Sequence, residues 1–126
     1  LGTTHDHVYG SEVGQFSYRF ALPGLPARAR VSARLSSETW FQGAEWGSDV
    51  TLIVNGAVYP SQTVIPDDGS GQVYHWDVSP GDLRVGDNLI SFAVLEGAAN
   101  PHGLCIYGEA YTTTDDNYYV TIELSP

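Results

Sequence analysis

The side chains best suited to chemistry stand in three segments that the sequence predicts to be loops. Tryptophan and tyrosine rings offer flat apolar faces on which a sugar ring can stack, while carboxylates, amides and imidazoles hydrogen-bond its hydroxyls. Loops are exposed, so an aromatic residue in a Gly-rich loop is well placed to contact a ligand. The expected ligand-binding residues are Trp40, Glu45, Trp46, His102, Asp116, Asn117 and Tyr118. In the alternative, Trp40 caps the end of the core and residues 112–119 form a solvated turn.

A second set of candidate residues lies at the N-terminus, where His5, His7 and Glu12 follow the spacing H-x-H-x4-E. Two imidazoles and a carboxylate suit a divalent transition metal, and the pattern is similar to the first metal motif of the cupin family. The Gly that this motif requires after six further residues is replaced by Arg19, and the second cupin motif is missing. We therefore expect no metal-dependent enzyme of this type.

Signatures of catalysis are also missing from the sequence, which has no G-x-S-x-G elbow, no P-loop and no H-E-x-x-H pattern. With 15 acidic residues some pair of carboxylates is inevitable, so such a pair alone does not indicate glycoside hydrolysis. Cys105, the single cysteine, stands between Leu104 and Ile106, which is typical of a buried small hydrophobe. We expect a protein without catalytic activity.

The overall charge limits the classes of partner. The formal net charge is −10, from 5 Arg and Lys against 15 Asp and Glu, and such a surface repels nucleic acid and anionic membranes. No apolar run approaches the roughly 18 residues of a membrane span. The acidic, Lys-free composition fits extracellular surroundings, although it also serves solubility alone. Since the chain contains no Met, we expect residues 1–126 to be a single secreted module excised from a larger protein.

Alternation of apolar and polar residues with a period of two predicts an all-β fold of about eight strands. The dipeptide Asn55-Gly56 predicts a tight hairpin, and residues 79–83 are expected to hold one short helical turn. On one strand Tyr74 and Trp76 share a face, and Trp76 is expected to be buried. The predicted strands are residues 15–22, 28–35, 49–55, 57–65, 72–78, 88–95, 103–111 and 118–124.

About a third of the chain resembles the galactose-binding-like jelly rolls found among carbohydrate-binding modules and accessory domains of glycoside hydrolases and polysaccharide lyases. The resemblance rests on DVTLIVNG (residues 49–56), YHWDV (74–78) and LRVGDNLISF (83–92). Gly56 and Gly86 are expected to supply positive φ at tight turns, and Asn88 to bond backbone groups where a strand begins. The resemblance implies an antiparallel β-sandwich of the jelly-roll type, and its motifs carry no catalytic residues.

The resemblance also implies a function and a cofactor. Modules of this family often hold a structural calcium ion near the chain ends, where Asp6, Glu12 and Glu123 are the candidate ligands. We expect a non-catalytic carbohydrate-binding module that tethers a secreted protein to a polysaccharide or oligosaccharide. The alternative is a structural accessory domain without a ligand, in which Trp40 and Trp46 pack against a neighbouring domain of the same protein.

Overall fold

The computed structural model describes the backbone of residues 6–8, 14–37, 47–66, 71–98, 101, 103–106 and 121–125, and the side chains of all but 6–8 and 121–125. Within these ranges the chain forms ten strands and a 3₁₀ turn at Pro80–Asp82, which confirms the predicted helical turn. The strands are β1 (Asp6–Val8), β2 (Gly14–Leu22), β3 (Arg28–Ser36), β4 (Ser48–Val54), β5 (Ala57–Val58), β6 (Gln62–Val64), β7 (Gln72–Val78), β8 (Gly86–Val94), β9 (Leu104–Ile106) and β10 (Thr121–Ser125). None of the described residues form a helix long and apolar enough to cross a membrane.

The alternating sequence pattern sets the main strands, because successive side chains of a strand point to opposite faces. β2, β3, β4, β7 and β8 lie within two residues of their predicted bounds. The predicted strand 57–65 is divided, because Pro60 has no N–H to donate to the neighbouring strand. Here three residues, 59–61, lie opposite two residues of β4, Thr51 and Leu52. The returning chain therefore has one residue more than regular pairing allows. The predicted strands 103–111 and 118–124 are described only at β9 and β10.

The strands form two five-stranded sheets in which all strand pairs are antiparallel, so the predicted all-β class is confirmed. Sheet A contains β1, β9, β3, β10 and β7, and sheet B contains β2, β8, β4, β5 and β6. In sheet A, β3 pairs with β7 along one edge and with β9 and β10 along the other. β3 is therefore the central strand of sheet A.

β9 and β10 occupy one line along β3, and a long connection separates them. Ile106 of β9 faces Leu35, and Thr121 of β10 faces Ser32. An uninterrupted strand would reach the position opposite Ser32 three residues after Ile106, at residue 109, but residue 121 stands there, twelve positions later. Ile106 and Thr121 thus lie along the same edge of β3, and residues 107–120 connect them.

One hydrophobic core receives side chains from both sheets. Val31 and Leu35 of sheet A and Leu52 and Phe92 of sheet B are at most 1% exposed. Trp76 of sheet A, 5% exposed, lies with its ring centroid 5.8 Å from that of Phe92, so the aromatic rings join the two sheets. The predicted burial of Trp76 and of Cys105 is confirmed.

The end of sheet B that carries the Asn55-Gly56 turn, here called the hairpin end, is held by two asparagine side chains. Asn55 and Gly56 adopt φ of 48° and 89°, the left-handed region that favours Asn and Gly. Asn88, 1% exposed, accepts from the Arg84 N–H at 2.8 Å and donates to the carbonyls of Arg84 (2.8 Å) and Gly86 (3.0 Å). Asn55 Nδ2 donates to Asn88 Oδ1 at 2.9 Å. The expected roles of Gly56, Gly86 (φ 90°) and Asn88 are confirmed.

Tyr59 connects this network to the end of β7. Its hydroxyl donates to Asp82 Oδ2 at 2.5 Å and accepts from the Ser79 N–H at 2.9 Å. Burial raises the pKa of Tyr59 above its usual value, and the hydrogen bond to the Asp82 carboxylate raises it further, while the Ser79 N–H opposes the shift. The neutral, protonated phenol is therefore the form that the fold stabilises.

Asn88→Ala should lower the free energy of unfolding by about 2–4 kcal/mol, because it leaves an N–H and two carbonyls at the start of β8 without partners. Chemical denaturation measures the change. Gln15→Ala, at an exposed position of β2, is the control and should change stability by less than about 0.5 kcal/mol. A loss in Asn88→Ala no larger than that of the control would contradict the structural role of this side chain.

Tyr59→Phe should cost about 1–2 kcal/mol at neutral pH, since both hydrogen bonds of the hydroxyl are lost. The pKa of Tyr59 is raised on folding. Its contribution is therefore fully present below the unfolded pKa of about 10 and is lost as the pH rises through the higher folded value. Melting temperatures from pH 7 to 11.5 should fall less steeply for Tyr59→Phe than for the wild type. Parallel curves would show that Tyr59 does not contribute to the alkaline loss.

Candidate functional site

The seven predicted ligand-binding residues lie outside the described part of the chain; they are Trp40, Glu45, Trp46, His102, Asp116, Asn117 and Tyr118. The candidate calcium ligand Glu12 also lies outside it. The structure does describe residues on both sides of each segment that carries them. These flanking residues establish where the three segments begin and end.

The first two segments meet at a hydrogen bond. Ser48, two residues after Trp46, donates from its hydroxyl to the carbonyl of Gly103 at 2.5 Å, and Gly103 directly follows His102. Ser48 is 0% exposed, so the bond is shielded from water. The predicted Trp46 and His102 segments are therefore both followed by residues that this hydrogen bond joins.

The third segment begins at the same end of the sheets. It follows Ile106, which pairs with Leu35 of β3. Leu35 lies two residues before Ser37, and segment 38–46 begins directly after Ser37. Ser37 also donates its N–H to the carbonyl of Ile65 at 3.2 Å and forms a bridge with Pro66. We call this end, marked by Ser37, Ser48, Pro66, Gly103 and Ile106, the loop end. Each of the three predicted ligand segments has at least one end there.

Buried serines shape the loop end locally. Ser36, Ser37 and Ser48 are all 0% exposed, and the Ser36 hydroxyl donates to the carbonyl of Ser37 at 2.6 Å. Small hydroxyl side chains satisfy backbone carbonyls where the regular strand pairing stops. Ser36 at the end of β3 and Ser48 at the start of β4 thus bind backbone carbonyls on the two sides of segment 38–46.

A depression of about 290 Å³ opens on the outer face of sheet B at the loop end. Its polar lining residues are Asp49, Thr51, Ser61 and Glu96, together with the exposed Leu95. Asp49 is three residues from Trp46 and accepts from Thr63 Oγ1 at 3.2 Å. Two carboxylates, two hydroxyls and a leucine, with no cation among the described lining residues, suit a neutral polyhydroxylated ligand. Sequence reasoning missed this group because Asp49 and Glu96 are brought together only by the β4–β8 register.

The candidate calcium ligands lie in or beside the described ends of sheet A. Asp6 of β1 pairs with Ile106 of β9, and Glu123 of β10 pairs with Arg30 of β3. Only the backbone of Asp6 and Glu123 is described, and Glu12 lies outside the described residues. Within the described side chains no three His, Cys, Asp or Glu residues cluster, and calcium binding stays a prediction.

The outer face of sheet A carries arginines at alternate positions of β3, as the sequence pattern predicts. Arg30 pairs with Asp77 at 3.0 Å, an exposed ion pair that contributes little to stability. With Arg28 they line a depression of about 570 Å³. Arg34 differs, because it is 7% exposed and donates to the carbonyl of Gly71 at 3.3 Å. Beside these arginines, Ser32 Oγ and His75 Nδ1 lie 2.7 Å apart.

Comparison of the chain with protein-family models, curated proteins and solved structures found no match.

Ser48→Ala tests whether the two ligand segments share a base. It should lower the free energy of unfolding by about 1–2 kcal/mol, because the Gly103 carbonyl loses a buried donor. Hydrogen exchange should then accelerate in residues 103–106 as well as in residues 47–50. Ser91→Ala, which removes the hydroxyl pair with Ser17 at 2.8 Å, should leave residues 103–106 unchanged. Acceleration confined to residues 47–50 in Ser48→Ala would show that the two segments are independent.

Proposed function

We propose that the chain is a non-catalytic carbohydrate-binding module of a larger secreted protein, folded as a β-sandwich of the galactose-binding-like jelly-roll type. Two antiparallel sheets that share one core support the fold. So do the positive φ of Gly56 and Gly86 and the buried amide of Asn88, at the positions on which the resemblance rests. Fold alone does not determine function, so the argument for binding rests on the loop end.

The observation that carries the proposal is the loop-end depression. Asp49 and Glu96 offer carboxylate oxygens, and Thr51 and Ser61 offer hydroxyls, around Leu95. The predicted ligand segments connect to the framework at the same end, with Trp46 only three residues before Asp49. Saccharide sites combine an apolar or aromatic surface with a few convergent polar groups, and this end of the molecule supplies both.

A neutral oligosaccharide is the ligand that fits this chemistry. Its hydroxyls would donate to Asp49 and Glu96, and the apolar face of one sugar ring would stack on Trp46. His102, Asp116, Asn117 and Tyr118 would add polar contacts from the other two segments. A structural calcium ion with Asp6, Glu12 and Glu123 as its candidate ligands would stabilise the chain ends.

A structural accessory domain is the second candidate, and exposed apolar residues favour it. Leu25, Val58 and Val85 are 56%, 64% and 64% exposed, and all three lie in or beside connections at the hairpin end. Exposed apolar groups that occur together mark protein contact sites. These residues would place the contact with a neighbouring domain at the hairpin end, whereas the sequence predicts it at Trp40 and Trp46. In either form of this alternative the loop end binds no sugar.

Trp46→Ala should weaken glycan binding at the loop end about thirtyfold or more while leaving the melting temperature unchanged. The loss of a stacked tryptophan typically costs about 2 kcal/mol or more, roughly a thirtyfold weaker complex. A glycan array with and without calcium, followed by calorimetry on the best binder, measures both affinity and calcium dependence. If neither the glycan array nor a polysaccharide pull-down detected binding by the wild type, the binding function would be rejected. That result would favour the accessory domain.

The depression itself is tested by Glu96→Gln, which keeps the size of the side chain and removes its charge. Binding should weaken about threefold to tenfold, because a charged acceptor makes the stronger hydrogen bond. Asp77→Asn is the matched control, since Asp77 is also an exposed carboxylate but lies on the outer face of sheet A. Equal weakening in both variants would indicate a general charge effect rather than a site.

A further inference from the structure

A second depression, of about 330 Å³, lies at the hairpin end on the outer face of sheet B. Its lining includes Arg19 of β2, Asp87 and Leu89 of β8, and Arg84 from the turn that leads into β8. The volume is at the lower end of the range of about 300–1,000 Å³ in which small-molecule sites fall. About 20 Å of β4, from Ser48 to Val54, separates it from the loop end.

The charge of this depression is unusual for the chain. Only five residues are basic, against 15 acidic ones, so each arginine has an excess of carboxylates available as partners. Arg30 is paired with Asp77, and the buried Arg34 donates to Gly71. Among the described residues, the guanidinium groups of Arg19 and Arg84 form no hydrogen bond or ion pair. Both are exposed, and both face one depression.

The framework holds these two arginines in place through their backbones. Arg84 is fixed by its N–H and carbonyl, each 2.8 Å from the Asn88 amide group. Arg19 faces Leu89 in the β2–β8 pairing, and the Leu89 N–H donates to Asn55 Oδ1 at 2.9 Å. A pair of cations on a preorganised base loses less freedom when a ligand binds.

Other polar groups of the lining are already used. Asn55 Nδ2 donates to the Asp82 carbonyl (2.8 Å) and to Asn88, and Asn88 Nδ2 donates to Arg84 and Gly86. No amide N–H of these two side chains is left for a ligand. The groups that remain are two guanidiniums, the exposed carboxylate of Asp87 and the partly exposed Leu89.

From this set we infer that the hairpin-end depression binds an acidic sugar residue, a uronate, of an oligosaccharide. The two guanidiniums bind its carboxylate, since the planar arginine fork matches carboxylate geometry. Asp87 accepts from a ring hydroxyl, and Leu89 packs against the apolar face of the ring. A neutral sugar has no group for the arginines, and a simple inorganic anion has no hydroxyl for Asp87.

The test is a titration of the 126-residue chain with a trimer of α-1,4-linked galacturonate and with its carboxyl-reduced, neutral counterpart. Amide chemical shifts of Gly56, Arg84 and Leu89 report binding in the depression. The acidic trimer should shift these signals, more weakly at higher salt, and the neutral trimer should not. Equal shifts with the neutral trimer, or none with the acidic one, would overturn the inference.

Arg19→Gln and Arg84→Gln should each weaken the acidic trimer about tenfold, the effect of one charge-assisted hydrogen bond. Arg28→Gln, the matched control on the outer face of sheet A, should have no effect. Equal weakening in all three variants would show a general charge effect and overturn the site. The two sites are independent, so Trp46→Ala should leave this titration unchanged even though it weakens binding at the loop end.

Asp87→Asn separates a sugar from a simple anion. Removal of the carboxylate should weaken the acidic trimer, which loses its hydroxyl acceptor, and strengthen inorganic sulfate, which loses a repulsive neighbour. Melting temperatures equal to that of the wild type show that the exposed substitutions leave the fold intact. If Asp87→Asn bound both the trimer and sulfate more tightly than the wild type, the depression would be a plain oxyanion site. That result would overturn the assignment to a sugar.

Discussion

The hydrogen bond between the side chains of Asn55 and Asn88 is the contact on which much of the framework depends. Asn55 directly follows β4 and Asn88 lies near the start of β8, so their amides fix the two central strands of sheet B at one end. Each amide also binds the backbone of the connection between β7 and β8. Asn55 donates to the Asp82 carbonyl, and Asn88 binds both the N–H and the carbonyl of Arg84. The chain therefore crosses from sheet A to sheet B along one fixed path.

This fixed end makes the molecule asymmetric along its strands. At the hairpin end the connections are short, and hydrogen bonds from side chains satisfy their backbone groups. The segments 38–46, 67–70 and 107–120 all leave from the loop end, where buried serines close the strand pairing. A scaffold that is stabilised at one end can vary the connections at the other without loss of the core. This division explains why the scaffold motifs of the sequence do not identify a ligand.

Local patterns in the sequence predicted the fold well, and contacts distant in sequence limited the rest. The period of two located five long strands, and Asn55-Gly56 and Gly86 located their turns. Among the described strands, the short β1 pairs with β9 alone, almost a hundred residues away, and it has no pattern of its own. Likewise Asp49 and Glu96 become neighbours only through the β4–β8 register. A candidate site built from such pairs cannot be predicted from one sequence.

Net charge and local charge lead to different conclusions about ligands. A charge of −10 opposes a long polyanion such as nucleic acid, which contacts much of the surface at once. One acidic sugar contacts only groups within a few ångströms, and at physiological salt the field of exposed charges is screened within about 8 Å. The loop end and the hairpin end are about 20 Å apart along β4. Each depression is thus governed by its own residues, carboxylates at the loop end and arginines at the hairpin end.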